Sequence, residues 1–213
     1  MDYIINVTGY ILEGSVVTFQ LYLLTALFSV LLGIAGALGK ISKIPLLNSI
    51  LSFYTWVFRG TPLLLQLFFA YYGLPVLGIT LEPFPAATLT FIINYGAYFT
   101  EIFRGGIESI DKGQYEAAQV LGMNYRQTMS RIIIPQTVKR VLPATSNEAI
   151  NLVKDSALVA VIGLGDLLRA AKVAVTRDFS IVPFIIAAVF YLLISSVIVT
   201  VFRKLEDKYS VYE

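Results

Sequence analysis

The 213-residue chain contains neither cysteine nor histidine. That excludes disulfides, thiolate nucleophiles and zinc sites built on Cys or His, and it removes the side chain that ordinarily shuttles protons near neutral pH. No catalytic constellation and no metal-ligand spacing stands out among the other residues. Charged residues make up only 14% of the chain, the formal net charge is +2, and no basic cluster sits among aromatics, which argues against nucleic acid as a partner. There is no glycine-rich phosphate loop of the G-x-x-x-x-G-K-[ST] type, so an ATP-driven process must take its nucleotide site from another chain. The N-terminus also lacks the basic region of a secretory signal. It carries Asp2 and Glu13, and the apolar run that follows is too long for a signal core, so it reads as a retained span.

What the chain does have is apolar surface. Hydrophobic residues are 57% of it, which points to a membrane protein. Charge-poor runs predict an all-α membrane protein, a single domain over 1–213 with five transmembrane helices at about 14–39, 48–73, 84–104, 141–165 and 180–202. The second run is interrupted only by Arg59, and Arg59-Gly60-Thr61-Pro62 predicts a kink there. Broken helices of this kind line substrate sites in transporters, which makes the stretch a candidate for substrate contact as well. The aromatic run Phe68, Phe69, Tyr71 and Tyr72 reads as an interface belt. The fourth run is broken by Glu148, Lys154 and Asp155.

Lysine and arginine placement orients the chain. Lys40 and Lys43 follow span one, Arg104, Lys112, Arg126, Arg131, Lys139 and Arg140 flank the long third loop, and Arg203, Lys204 and Lys208 follow the last span. The other side has only Arg169, Lys172 and Arg177. This predicts an N-terminus outside, a C-terminus in the cytoplasm and a cytoplasmic loop over about 112–136. The segments 73–85 and 166–178 then face outward, the second beginning with a short amphipathic helix from Asp166 to Ala174.

Ionisable groups within a span are functional hypotheses by default. Asn94, Tyr98 and Glu101 recur at i, i+4 and i+7 on one helix face; Glu148, Asn151 and Asp155 recur at i, i+3 and i+7 on another. Two such faces can line a hydrated pocket. Asp155 and Glu101 would meet a cationic substrate, with Asn151, Tyr98, Asn94 and Ser156 in support. Two other readings stand beside this one. The set can serve as interhelical polar contacts, or Glu101 can lie near the cytoplasmic interface paired with Arg104. Glu148 reads as closer to the cytoplasmic end, beside a basic residue.

The third loop carries the most specific pattern. Glu116-Ala117-Ala118, three residues, Gly122, nine residues, then Ile132, one residue, Ile134 and Pro135. Gln114 to Leu121 are good helix formers, the two alanines make a thin face able to enter a groove, and Gly122 can take the left-handed turn after it. Glu116 offers one charge to a basic group on a partner.

This pattern resembles the E-A-A-x3-G-x9-I-x-L-P loop of the membrane subunits of ABC importers, with Ile134 in place of Leu. Arg59 to Gln66 (R-G-T-P-L-L-L-Q), Glu101 to Ile107 (E-I-F-R-G-G-I) and Lys154 to Leu158 (K-D-S-A-L) extend the likeness to the polar amino acid permeases of bacterial ABC importers. The resemblance implies a five-span core in the cell membrane, a dimer of permease subunits and an extracytoplasmic binding protein. It also implies an ABC ATPase dimer that holds ATP and Mg, with no cofactor in this chain. Glu116, Ala117, Ala118 and Gly122 would couple that ATPase to alternating access. A homodimer is favoured, since both carboxylates and a complete loop occur in one chain. The substrate reads as arginine, lysine or histidine, with glutamine as the alternative. A proton-coupled secondary transporter and a non-transporting sensor are the competing classes.

Overall fold

The structure is a computed structural model that describes residues 2–42 and 44–209. Lys43, one of the cations used to orient the chain, lies outside the described residues. All regular structure among them is helical. The helices are α1 (Asp2–Ile41), α2 (Pro45–Gly60), α3 (Leu63–Phe68), α4 (Pro83–Glu108), α5 (Lys112–Val120), α6 (Tyr125–Thr128), α7 (Ile134–Asp155), α8 (Leu167–Asp178) and α9 (Val182–Tyr209).

α1 and α9 are long and apolar enough to cross a membrane, and α2 with the helix that follows its break makes a third if the bent pair is one span. α4 and α7 do not meet that measure, because both carry the polar residues that face inward. α1 begins well before the expected residue 14. At 1.5 Å per residue its 40 residues span roughly 60 Å, about twice the hydrocarbon thickness.

The pattern of α1 explains its packing. Thr18, Leu21, Thr25, Ser29, Gly33, Gly36 and Ala37 are buried, while Phe19, Leu23, Leu27 and Leu31 on the other side are exposed. Small and polar residues turn inward and large apolar ones outward, as lipid rather than water requires. α4 lies directly on this seam. A Cβ placed on Gly33 would stand 2.3 Å from the Cβ of Phe99, and one on Gly36 would stand 2.2 Å from the Oγ1 of Thr100. The core between α1, α3, α4 and α7 is closed by Leu21, Leu67, Phe91, Tyr95, Phe99 and Leu152. A second cluster joins the start of α1 to α8 and α9 through Val7, Ile11, Leu167, Ala171 and Ala187.

The expected kink in the second run is a full break, with a bend of 103° between α2 and the helix that follows. Proline disfavours the helical region for the residue before it, and Thr61 sits extended at φ −119° and ψ 147°. The freed carbonyls are taken by side chains. Gln66 Nε2 donates to the carbonyls of Phe58 (3.0 Å) and Thr61 (3.1 Å), and Asn94 Nδ2 donates to the same Phe58 carbonyl at 2.9 Å.

α7 also departs from expectation. It starts at Ile134 rather than near 141, and its α-helical part stops at Asp155. The chain continues as a 3₁₀ segment, Ser156–Ile162, ended by Gly163 at φ 89°. The short outward helix expected after Asp166 is α8. Asp166 caps it, accepting the backbone amides of Leu168 (3.0 Å) and Arg169 (3.1 Å).

Candidate functional site

A cavity of about 450 Å³ lies where the broken helix, α4 and α7 meet. Thr61, Pro62, Leu63 and Leu64 form one wall, Asn94, Tyr95 and Tyr98 a second, and Glu148, Asn151 and Asp155 a third, with Leu158 at one end. The helical break supplies the opening: a straight helix through residues 59–66 would have its own backbone where the first wall turns.

Each polar group is held in place. The Tyr95 hydroxyl donates to Asp155 Oδ2 at 2.6 Å, joining α4 to α7 across the floor. Tyr95 itself is 2% exposed. Asn94 Nδ2 bonds Gln66 Oε1 at 3.0 Å as well as the Phe58 carbonyl, so α4 also supports the broken segment. On α7, Asn151 lies between Glu148 and Asp155 in the chain and lines the same wall. The Arg59 guanidinium carbon is 5.5 Å from the centre of the Tyr98 ring, a cation–π contact at the margin of the cavity. Two carboxylates and one guanidinium therefore face or flank this space.

Of the candidate residues, Asp155, Asn151, Tyr98 and Asn94 line the cavity and Glu101 and Ser156 do not. Glu101 does share a face with Asn94, but seven residues carry it roughly 10 Å further along α4. There it meets α1 and α2 instead of the cavity. It pairs with Lys40 Nζ (2.5 Å) and Arg104 Nη2 (2.7 Å), and Thr55 Oγ1 donates to it at 2.9 Å. This is the pairing with Arg104 at i+3, enlarged by Lys40. Ser156, one residue past Asp155, is rotated into the core, fully buried, and donates to the carbonyl of Val153 at 2.7 Å.

Glu148 was expected nearer the cytoplasmic end, beside a basic residue. Its i, i+7 spacing from Asp155 brings both to one wall. Tyr95 had no periodic signal of its own, since it lies beside the Asn94–Tyr98 face and only the packing of α7 shows its partner.

The cytoplasm-assigned loop forms a separate unit. Asp111 caps α5 by accepting from the Gly113 amide at 2.6 Å. Gly122 takes the left-handed conformation at φ 71°, its amide bonds the Gln119 carbonyl (3.0 Å), and that of Met123 bonds the Ala118 carbonyl (3.0 Å). These are the two bonds of a Schellman helix stop. Asn124 and Gln127 then form a capping box that starts α6. Glu116 and Ala117 are exposed, but Ala118 is fully buried against its own chain. The outer face is completed instead by Val120 and Leu121, 87% and 76% exposed, which were not on the expected list.

Inward-facing polar residues, an outward apolar surface, a cavity at a helix break and a capped helix presenting apolar residues define a membrane permease. The chain belongs to the family of binding-protein-dependent transport system inner membrane components, whose family model matches residues 17–211. It is 42% identical to the arginine transport system permease protein ArtQ of Bacillus subtilis over 201 residues, 93% of this chain and 92% of the relative. It is 37% identical to the putative glutamine transport system permease protein GlnP of Rickettsia bellii, over the same shares of both chains. Among solved structures, a crystal structure of an amino acid ABC transporter with histidines matches with a TM-score of 0.88 and 38% identity, covering 96% of both chains. An inward-facing MetNI methionine ABC transporter matches with a TM-score of 0.79 but 16% identity, and so supports the fold alone. The protein is an amino acid permease subunit of an ABC importer.

Proposed function

We propose that the chain forms the translocation path for basic L-amino acids: arginine, lysine or histidine. One observation carries this reading. Among the described residues, Glu148 and Asp155 face a cavity with Arg59 at its margin, a formal charge of −1 that matches arginine, lysine or histidine with a protonated imidazole. Asp155 would receive the cationic side chain, bidentate in the case of a guanidinium. Asn151, Asn94 and Tyr98 supply further hydrogen bonds, and Glu101 and Ser156 support the helices around them. A neutral substrate such as glutamine is the second reading, favoured by the amides of Asn94 and Asn151.

The rest of the mechanism follows from a permease that makes and breaks no covalent bonds. Two copies pair as a homodimer in the cell membrane, with five spans each, the N-terminus outside and the C-terminus in the cytoplasm. An extracytoplasmic binding protein delivers the amino acid. An ABC ATPase dimer, with its own ATP and Mg, closes on ATP around the outward-open permease, and hydrolysis resets the inward-facing state. The energy enters through Glu116, Ala117, Val120 and Leu121, with Gly122 fixing their angle.

Direct binding to the purified permease–ATPase complex tests the substrate, with arginine, lysine, histidine and glutamine titrated in parallel. Saturable binding of the cationic amino acids at concentrations where glutamine does not bind is the expected result. Glutamine bound as tightly as arginine would replace this reading with the second.

The coupling role has its own test. Gly122→Val places a β-branched residue at φ 71° and costs about 1–2 kcal/mol locally, tilting α5 or fraying its stop. Transport per ATP hydrolysed is expected to fall roughly tenfold while substrate affinity stays unchanged. Glu116→Lys should act in the same direction. Full coupling in both variants would remove α5 as the link.

A further inference from the structure

A second and larger cavity, of about 910 Å³, opens between the 3₁₀ segment and α8. Arg169, Lys172 and Arg177 line it, and it reaches Gly163 and Leu158. Leu158 also lines the acidic cavity and is the one residue common to both linings. The two spaces are thus consecutive, with a single leucine side chain on the boundary.

The charges of the second cavity differ in how they are satisfied. Arg177 is neutralised by Asp178, its Nε donating to Oδ1 at 2.6 Å. The Asp166 carboxylate is fully buried and occupied by the α8 amides. Arg169 Nη1 is buried with no hydrogen-bond partner among the described residues. It lies over Gly163, where a Cβ would stand 3.0 Å from it. Lys172, one turn further along α8, is exposed. Asp166 acts on the Arg169 charge through space but leaves this nitrogen without an acceptor, so a buried guanidinium N–H beside an exposed ammonium is free to hold an incoming carboxylate.

The boundary stands on an unusual stretch of backbone. 3₁₀ runs longer than three or four residues are uncommon and often mark hinges, and Leu158 sits on one of seven residues. That run ends at Gly163, whose φ of 89° few other residues adopt. Ser156, Val159 and Ile162 anchor the segment in the core, so a rotamer change of the partly buried Leu158 side chain is the movement that would open the passage.

We infer that this groove is an outer vestibule that binds the α-carboxylate of the incoming amino acid on Arg169 and Lys172, with Leu158 as the gate to the acidic cavity. The inference rests on the proposed reading of that cavity as the substrate site. The vestibule holds the carboxylate back while the cationic end passes Leu158 first and meets Asp155. The two sites have opposite sign, so they orient a zwitterionic substrate along the path.

The absence of cysteine makes the test clean. Leu64→Cys puts a thiol on the wall of the acidic cavity, and the permease–ATPase complex in right-side-out proteoliposomes is treated without nucleotide. The probes are membrane-impermeant anionic and cationic methanethiosulfonates. With Leu158 present, labelling from outside is expected to be slow with both. Leu158→Ala should accelerate it with both, and at a thiol placed in the groove itself by Val173→Cys the anionic reagent should react roughly tenfold faster than the cationic one. Adding Lys172→Gln with Arg169→Gln should bring the two rates together, and Lys172→Gln alone, at an exposed position, should halve the preference or more.

No acceleration by Leu158→Ala overturns the gate. A charge preference absent from the start, or unchanged by removing both cations, overturns the anion site. Protection of the thiol by arginine reports on the acidic cavity separately. Lost protection with an intact charge preference would fail the substrate site and not the vestibule, and the reverse pattern would fail the vestibule alone.

Discussion

Asp155→Asn is expected to weaken arginine binding by roughly 100-fold while the complex still assembles. Removing one member of a buried, hydrogen-bonded charge pair costs about 2–5 kcal/mol, much of it from leaving the other charge unpaired. Here the charge left unpaired is the substrate's own cation. The asparagine keeps an oxygen where Asp155 Oδ2 accepts from Tyr95 at 2.6 Å, so the tie between α4 and α7 survives and only the charge is removed. Glu148 remains on the same wall, and Arg59 at the margin then balances it, so the cavity no longer favours a cation. Glutamine should lose little, since an amide can bond an amide. Calorimetric titration of the purified complex measures both. Unchanged arginine affinity would take Asp155 out of the site, and equal losses for arginine and glutamine would make its role structural.

Glu101→Gln should lower stability by about 3–5 kcal/mol, the range found when a buried ion pair is broken by removing one partner. The Lys40 and Glu101 side chains are only 10% and 12% exposed, so Lys40 has little access to water once its carboxylate is gone. Three helices depend on this one group: α1 through Lys40, α2 through Thr55 and α4 through Glu101 itself. The expected fall in the unfolding midpoint of the solubilised complex is on the order of 10 °C. Substrate affinity in the folded fraction should not change, which separates this role from that of Asp155. Glu108→Gln is the control. Glu108 pairs with the same Arg104 at 2.5 Å but is 50% exposed, and exposed pairs are worth about 0.2–1 kcal/mol. A Glu101→Gln midpoint no lower than that of Glu108→Gln would show that the network adds nothing to stability.

The contrast between Asp155 and Glu101 shows where sequence reasoning reached its limit. Periodicity placed Asn94 and Glu101 on one face and Asn151 and Asp155 on another, and both groupings hold in the helices. Periodicity gives direction around a helix and says nothing of what stands opposite at each height. α4 faces the broken segment at Asn94 but Lys40 and Thr55 at Glu101, and those neighbours are 61 and 46 residues away in the chain. Ser156 failed for another reason: an adjacent residue lies roughly 100° around the helix, and the change to 3₁₀ winding after Asp155 has no mark in the sequence. Local signals fared better. Pro62 after Thr61 foretold the break, though not its 103° angle, which depends on Gln66 and Asn94 capturing the freed carbonyls. Gly122 foretold the helix stop, because a left-handed residue there is a matter of a few neighbouring atoms. The inward turn of Ala118 and the outward turn of Val120 and Leu121 depend on what α5 packs against.

The order of the helices along the chain also shapes how the protein enters a membrane. A segment such as α7, with Glu148, Lys154 and Asp155, carries an insertion penalty of about 2.5–3.5 kcal/mol for each of Asp and Lys placed at mid-depth. Alone in the translocation channel it would pass through to the far side. α1 is synthesised first, inserts on its own apolar strength, and offers the groove of Gly33 and Gly36 against which α4 lodges. α4 in turn presents Tyr95, the donor that Asp155 finds. α4 thus emerges from the ribosome after the α1 seam on which it packs, and α7 after the α4 face that meets Asp155, while α9, which also packs on α7, comes last. A substitution on the glycine seam of α1 would then act during synthesis, leaving α7 on the wrong side of the membrane rather than loosening a finished protein.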